Sequence, residues 1–277
     1  METLKILRNE NFTFAKRYGQ NFLTDEILLA DIANDASLTK NDTVLEIGAG
    51  AGTLTKQLAK KAKRVVAFEI DKRLEPVLAK TLENEENVDL IFDDVTKWNE
   101  KQIEDMVGTE YKVVANLPYY ITTPLLFQFI ESKLPPKSLT VMVQKEVAER
   151  ICATEKKGDY GALSVSVALR GEARITRIVT RDKFMPPPNV DSAVVRIDSS
   201  LDAQYQNSKV IFDLVKNAFM MKRKTLANNL SQAYKKSKEE IIELLLSNGL
   251  SQNVRAEQLS KKQFIELANA IAQKKWD

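Results

Sequence analysis

Thr43-Val44-Leu45-Glu46-Ile47-Gly48-Ala49-Gly50-Ala51-Gly52 is a short apolar run that closes on alternating glycines. Leu54, Leu58, Ala59 and Ala62 follow at helical spacing. A strand that turns through glycines into a helix is the opening unit of a strand–helix alternation, and the alternation continues downstream. Arg64 to Phe68 predicts a second strand ending in Glu69, Val88 to Phe92 a third ending in Asp93-Asp94, and Lys112 to Ala115 a fourth ending at Asn116. Glu46 to Glu69 is 23 positions, Glu69 to Asp94 is 25 and Asp94 to Asn116 is 22, one strand–helix unit each. This rhythm predicts a parallel, doubly wound α/β sheet. Such sheets bind ligands beyond the carboxyl ends of their strands. The glycine run, Glu69, Asp94 and Asn116 all fall there.

The glycines are spaced G-x-G-x-G, with the acidic Glu46 ahead of them on the strand. Loops that cradle a pyrophosphate use G-x-G-x-x-G instead. A donor without pyrophosphate fits better, and S-adenosylmethionine is one, with an adenosine, a sulfonium cation and an amino-acid tail. Glu69, 21 residues after Gly48, suits the ribose diol, and Asp94 suits the adenine amine. The fourth strand ends in Asn116-Leu117-Pro118-Tyr119, which offers a side-chain amide, backbone carbonyls and an aromatic ring together. That set suits a planar base bearing an amine. An exocyclic adenine amine is a weak nucleophile because its lone pair is shared with the ring. Hydrogen bonds from it to the Asn116 side-chain oxygen and the Leu117 carbonyl return density to nitrogen and stabilise the charge that develops there. The enzyme then supplies placement, and no base is needed. Tyr119 and Phe184 are candidates to stack on the two faces of the base. Phe184 precedes Pro186-Pro187-Pro188, which predicts a stiff extended loop. Each aromatic taken singly is more often a core residue.

Composition excludes much other chemistry. The 277 residues contain no histidine, so Ser-His-Asp and Cys-His nucleophile systems are ruled out. Zinc sites built of His and Cys are ruled out too, and no metal is expected. Cys152 is the only cysteine, which excludes an internal disulfide and suits the cytoplasm. No apolar run approaches the ~18–20 residues of a membrane span, and the first residues lack a signal-peptide pattern. Net charge is +3, and residues 201–277 hold 13 Lys and Arg against 8 Asp and Glu. A weakly acidic body with a basic tail points to a polyanion. Lys16 and Arg17 among Phe12, Phe14, Tyr18 and Phe22, then Lys156-Lys157, then Lys222-Arg223-Lys224, are candidate phosphate contacts. A plain solvated surface is the alternative for each. A base inside a duplex cannot reach a strand-tip pocket without being unstacked, and RNA loops present bases at lower cost.

Further along, Leu139 to Val143 predicts a fifth strand and Gln144 to Cys152 a helix. Ala173 to Val179 and Ala193 to Ile197 predict an antiparallel pair. From Leu201 the alternation stops, and Val210 to Met221, Thr225 to Lys235, Glu239 to Asn248 and Lys261 to Lys274 have helical periodicity. The expected organisation is a domain over residues 1–200, with an N-terminal arm over 1–23, and a small helical domain over 201–277.

The residues so quoted resemble the ribosomal RNA adenine dimethyltransferases, above all those acting on small-subunit 16S rRNA. The likeness runs through Tyr18-Gly19-Gln20-Asn21-Phe22-Leu23, Glu46 to Gly52, Asn116-Leu117-Pro118-Tyr119 with Thr122-Thr123-Pro124, and Gln144 to Arg150. It continues through Tyr160-Gly161-Ala162-Leu163-Ser164, Phe184 with Pro186 and Pro188, Val190-Asp191-Ser192 and Arg223-Lys224-Thr225-Leu226 with Asn228. Asp93 is a departure, since relatives often carry glycine there. The resemblance implies a Rossmann-like seven-stranded methyltransferase domain with a C-terminal all-helical domain that contacts the ribosome. It implies that Gln20, Asn21, Leu23, Gly48, Gly50, Glu69, Asp94 and Asn116 contact S-adenosylmethionine, with S-adenosylhomocysteine as product. Asn116, Leu117, Tyr119 and Phe184 would act on the target base. Four methyl groups would go to two adjacent adenosines near the 3′ end of 16S rRNA, with immature small subunits as partner and no obligate protein partner. The related methyltransferases of 23S rRNA and a non-catalytic assembly factor on the same fold are the alternatives.

Overall fold

A computed structural model describes residues 2–10, 12, 20–155, 159–200 and 208–276. In chain order the first elements are α1 (Glu2–Asn9), β1 (Phe22–Leu23), α2 (Glu26–Asp35), β2 (Thr43–Ile47), α3 (Thr53–Ala59), β3 (Arg64–Phe68), α4 (Glu75–Thr81) and β4 (Val88–Ile91). Then come α5 (Glu100–Val107), β5 (Tyr111–Asn116), α6 (Thr122–Ile130), β6 (Ser138–Gln144), α7 (Lys145–Ile151), α8 (Ala162–Arg170), β7 (Gly171–Val179), β8 (Phe184–Met185) and β9 (Ser192–Ser199). Four helices close the chain: α9 (Ser208–Ala218), α10 (Leu226–Tyr234), α11 (Lys238–Ser247) and α12 (Lys261–Lys274). The chain divides into two compact units, Met1–Ala148 with Ala173–Ser199, and Glu149–Glu172 with Ser200–Asp277.

The first unit is built on a seven-stranded sheet in the order β4-β3-β2-β5-β6-β9-β7. β2 pairs in parallel with β3 and with β5, β3 with β4, and β5 with β6, while β9 runs antiparallel to β6. This is the expected α/β, Rossmann-like architecture. Parallel strands covered on both faces need unbroken apolar runs. Val44, Leu45, Val65, Val66, Ala67, Val113 and Val114 meet that need, all at most 1% exposed. Strand order reverses between β2 and β5, and a crevice opens at such a switch point. A separate two-stranded ribbon pairs Phe22 with Met185 and Leu23 with Phe184. Asn99 and Gln102 close a capping box at the start of α5.

The second unit is helical. α8 packs on α9 and α12, α9 on α10 and α12, and α10 on α11. Phe264 is fully buried at its centre, stacked 6.1 Å from Phe219. This unit takes in residues 149–172, which differs from a continuous first domain over 1–200. Almost all of α8 is apolar and buried, from Leu163 through Leu169, and a helix apolar all round must be enclosed. Tyr160 donates its hydroxyl to the Leu259 carbonyl at 3.0 Å, and the Arg170 guanidinium sits 5.5 Å from the Phe212 ring centre. Both contacts tie this stretch to the C-terminal helices. Among the described residues, no helix is long and apolar enough to cross a membrane.

Candidate active site

Strand register assembles the site within the first unit. Ile47 is paired with Ala115 on one side and Phe68 on the other, so Gly48 emerges between Asn116 and Glu69. Phe68 pairs with Ile91, which brings Asp93 and Asp94 to the same edge. One cavity is lined by Gln20, Asn21, Leu23, Gly48, Gly50, Glu69, Asp94, Asn116, Leu117 and Tyr119, which unites the residues expected to hold the cofactor with three of those expected at the target base. Its floor is the backbone of the glycine loop. Gly50 has φ +58°, and a Cβ there would meet the Phe22 ring at 3.0 and 3.2 Å, so the loop takes a shape open to glycine alone. Phe22 is held in turn by its pairing with Met185, and Gln20 donates to Asp71 at 2.8 Å.

Glu69 is buried and its carboxylate is fully engaged from the loop side. Gly50 N–H donates to one oxygen at 2.7 Å and Asp71 N–H to the other at 2.8 Å. Burial raises its pKa, and these two backbone donors pull it back. Each oxygen keeps a lone pair for a further donor such as a hydroxyl. Asp94 accepts from the Thr96 N–H at 3.1 Å and its hydroxyl at 2.6 Å through one oxygen. The departure at Asp93 has a local partner set: it accepts from the Asp94 N–H at 2.8 Å and from the Trp98 indole at 2.9 Å. Trp98 then packs edge-on to Phe68 at 4.8 Å. Beneath the loop lies Glu46, 1% exposed, with neither carboxyl oxygen hydrogen-bonded among the described residues. Burial pushes its pKa up to about 8; the nearby Thr55 hydroxyl opposes this weakly, short of a formed hydrogen bond, and the Glu69 charge adds to the rise. Sequence reading noted Glu46 only as an acid before the glycines; what marks it is the want of any partner.

The cavity lining holds three carboxylates, Glu69, Asp93 and Asp94, and no lysine or arginine among the described residues. A pyrophosphate would meet only repulsion there, whereas a sulfonium cation carrying an adenosine fits the donor set.

At the tip of β5 the Asn116 amide N–H donates to the Asn21 carbonyl at 3.3 Å. This bond fixes the amide's orientation and leaves its oxygen as the acceptor. The Leu117 N–H is used by the Met142 carbonyl at 3.1 Å. Tyr119 lines the cavity with its hydroxyl bonded to Ser192 at 2.8 Å, and burial raises its pKa. Phe184 is placed beside Leu23 by the ribbon, but it is 4% exposed, packs in the core and does not line the cavity. Lys222, Arg223 and Lys224 are exposed in the turn between α9 and α10, not on a helix face. Lys16, Arg17, Lys156 and Lys157 lie outside the described residues.

The profile of the family described as Ribosomal RNA adenine dimethylase matches residues 11–273. The chain belongs to this family. Among curated members it is 44% identical to the Ribosomal RNA small subunit methyltransferase A of Lactococcus lactis, over 98% of this chain and 94% of that one. It is 42% identical to the protein of the same name from Listeria innocua, over 98% and 95%. Among solved structures, a dimethyladenosine transferase from Plasmodium falciparum superposes with a TM-score of 0.76 at 26% identity, covering 92% of this chain and 98% of that one. The 23S rRNA methyltransferase ErmE superposes with a TM-score of 0.67 at 26% identity, covering 91% and 100%. The adenine dimethylase family thus accounts for the whole strand-tip constellation in a single chain.

Proposed function

We propose that this chain transfers methyl groups from S-adenosylmethionine to N6 of two adjacent adenosines near the 3′ end of 16S rRNA, dimethylating both during small-subunit biogenesis. The curated relatives, named small subunit methyltransferase A and matched along nearly their whole length, support the choice of the small subunit. The observation that carries the chemistry is the Asn116 amide, whose N–H is committed to Asn21 so that its oxygen faces an amine as acceptor.

Bound S-adenosylmethionine supplies a methyl group already activated as a sulfonium. Glu69 holds the ribose hydroxyls and Asp94 the adenine amine, while Gln20, Asn21, Leu23 and the backbone at Gly48 and Gly50 close around the ligand. Asn116 Oδ1 and the Leu117 carbonyl accept the two hydrogens of the target N6. That orients its lone pair toward the methyl group and stabilises the positive charge as the bond forms. The proton leaves the product ammonium afterwards, so no side chain has to act as base before transfer. Tyr119, its hydroxyl anchored on Ser192, presents its ring to one face of the base. Phe184 serves the other face, a role that requires its ring to be uncovered as the base enters. Lys222, Arg223 and Lys224 hold phosphates, as do Lys16, Arg17, Lys156 and Lys157. The partner is the immature small subunit in the cytoplasm, met by a monomer.

The test is labelled-methyl transfer to small subunits lacking the modification, followed by primer extension across 16S and 23S rRNA. Stops at two adjacent adenosines of 16S rRNA are expected. Modification of 23S rRNA alone, as for the protein similar in fold named above, overturns the proposal; so does the absence of transfer, which favours an assembly factor.

A further inference from the structure

Tyr120 stands at the mouth of the same cavity, 56% exposed, one residue beyond the ring assigned to the target base. Its turn is rigid: the Pro118 carbonyl accepts from both the Ile121 N–H and the Thr122 hydroxyl at 3.1 Å. Tyr119 is committed inward through Ser192, so the two neighbouring rings serve different spaces. A large aromatic held partly in water on a rigid turn, at the edge of a base-sized pocket, is a stacking platform in search of a flat partner. Extruding a base from its stack leaves the flanking bases with an uncovered face. An aromatic at the pocket lip replaces the lost neighbour without reading sequence.

Resting on the adenine-dimethylating function proposed above, we infer that Tyr120 stacks on the nucleotide adjacent to the target, holding the second adenosine at the lip while the first is methylated. Asn116 and Tyr119 engage the base being modified; Tyr120 grips the one that waits. This grip acts in binding the RNA and not in the transfer itself, so its loss raises KM more than it lowers kcat.

The experiment uses the full chain, an RNA hairpin carrying two adjacent adenosines, and the same hairpin with 2-aminopurine in place of the adenosine beside the target. Tyr120→Ala should raise KM for the hairpin about 5- to 150-fold, the range for one lost base–aromatic stack, and relieve the quenching of 2-aminopurine seen with the unsubstituted protein. Tyr120→Phe should restore both, because the face is retained. Affinity for S-adenosylmethionine, by calorimetry, should be unchanged in both variants. An unchanged KM and unchanged quenching in Tyr120→Ala overturn the inference, as does a fall in cofactor affinity, which reassigns the ring to the donor. If the unsubstituted protein itself methylates neither adenosine, the proposed function fails first; if it does and Tyr120→Ala behaves identically, only the role of Tyr120 is lost.

Discussion

Glu46→Gln removes one titration from the interior while keeping the side chain's volume. In the folded protein burial raises this carboxyl to about 8, against 4.5 for the same group in the unfolded chain. Between those values the unfolded chain has released the proton and the native one still holds it. The native state therefore binds more protons, and stability falls as pH rises. The penalty is absent below about pH 4.5, grows through the window, and is complete above about pH 8. One proton linked in this way is worth about 1.4 kcal/mol per pH unit, so the cumulative effect from pH 5 to pH 8 is about 4 kcal/mol at most. Glutamine does not titrate. The difference in unfolding free energy between Glu46→Gln and the unsubstituted protein should widen by about 1 kcal/mol per pH unit. Urea unfolding of both at pH 5, 6, 7 and 8 measures it, and every other titration cancels in the difference. Two parallel curves would show that the native carboxyl ionises normally and would refute the claim that it lies buried without a partner.

Asn116→Ala should leave S-adenosylmethionine affinity within a few-fold but slow methyl transfer by about 10²- to 10³-fold, the usual cost of one donor or acceptor aimed at a developing charge; near-normal single-turnover rates would remove Asn116 from the mechanism. Glu69→Ala should weaken cofactor affinity by roughly 1–3 kcal/mol and also lower the melting temperature, since the Gly50 and Asp71 N–H groups lose their acceptor. Unchanged affinity by calorimetry would exclude the ribose role. Gly50→Ala combines a left-handed φ with a close approach to the Phe22 ring and should cost about 1–3 kcal/mol of stability. An unaltered thermal melt would mean that the glycine loop is looser than its geometry requires.

The strands nearest the site were legible because burial on both faces leaves a plain apolar signature. Thr43–Ile47 and Arg64–Phe68 form over the residues read from sequence. The strand-end carboxylates fall together because the sawtooth spacing is itself the geometry. Elements without a period were hidden. α8, apolar almost all round, gives no stripe, and the ribbon of Phe22–Leu23 with Phe184–Met185 joins residues more than 160 positions apart by two pairs. The capping box at Asn99 and Gln102 was visible in the sequence, but the short helix behind it was not read. Phe184 shows the limit for aromatics. Composition and a nearby proline run are the same for a ring in a core and a ring in a pocket, and its near-complete burial follows from contacts far away in the chain. Sequence reading named Asn21 and Asn116 separately and offered no sign that one orients the other.

That bond from Asn116 to the Asn21 carbonyl has a directional result. An amide carries two hydrogens at one end and none at the other. Without Asn21 to claim the hydrogens, the group is free to turn half a revolution, and an incoming amine would then meet hydrogens facing hydrogens. Whether the strand tip attracts or repels its substrate thus depends on a main-chain oxygen 95 residues earlier in the polypeptide. A change that merely displaces the segment before β1 would silence the reaction while leaving every reacting side chain in place.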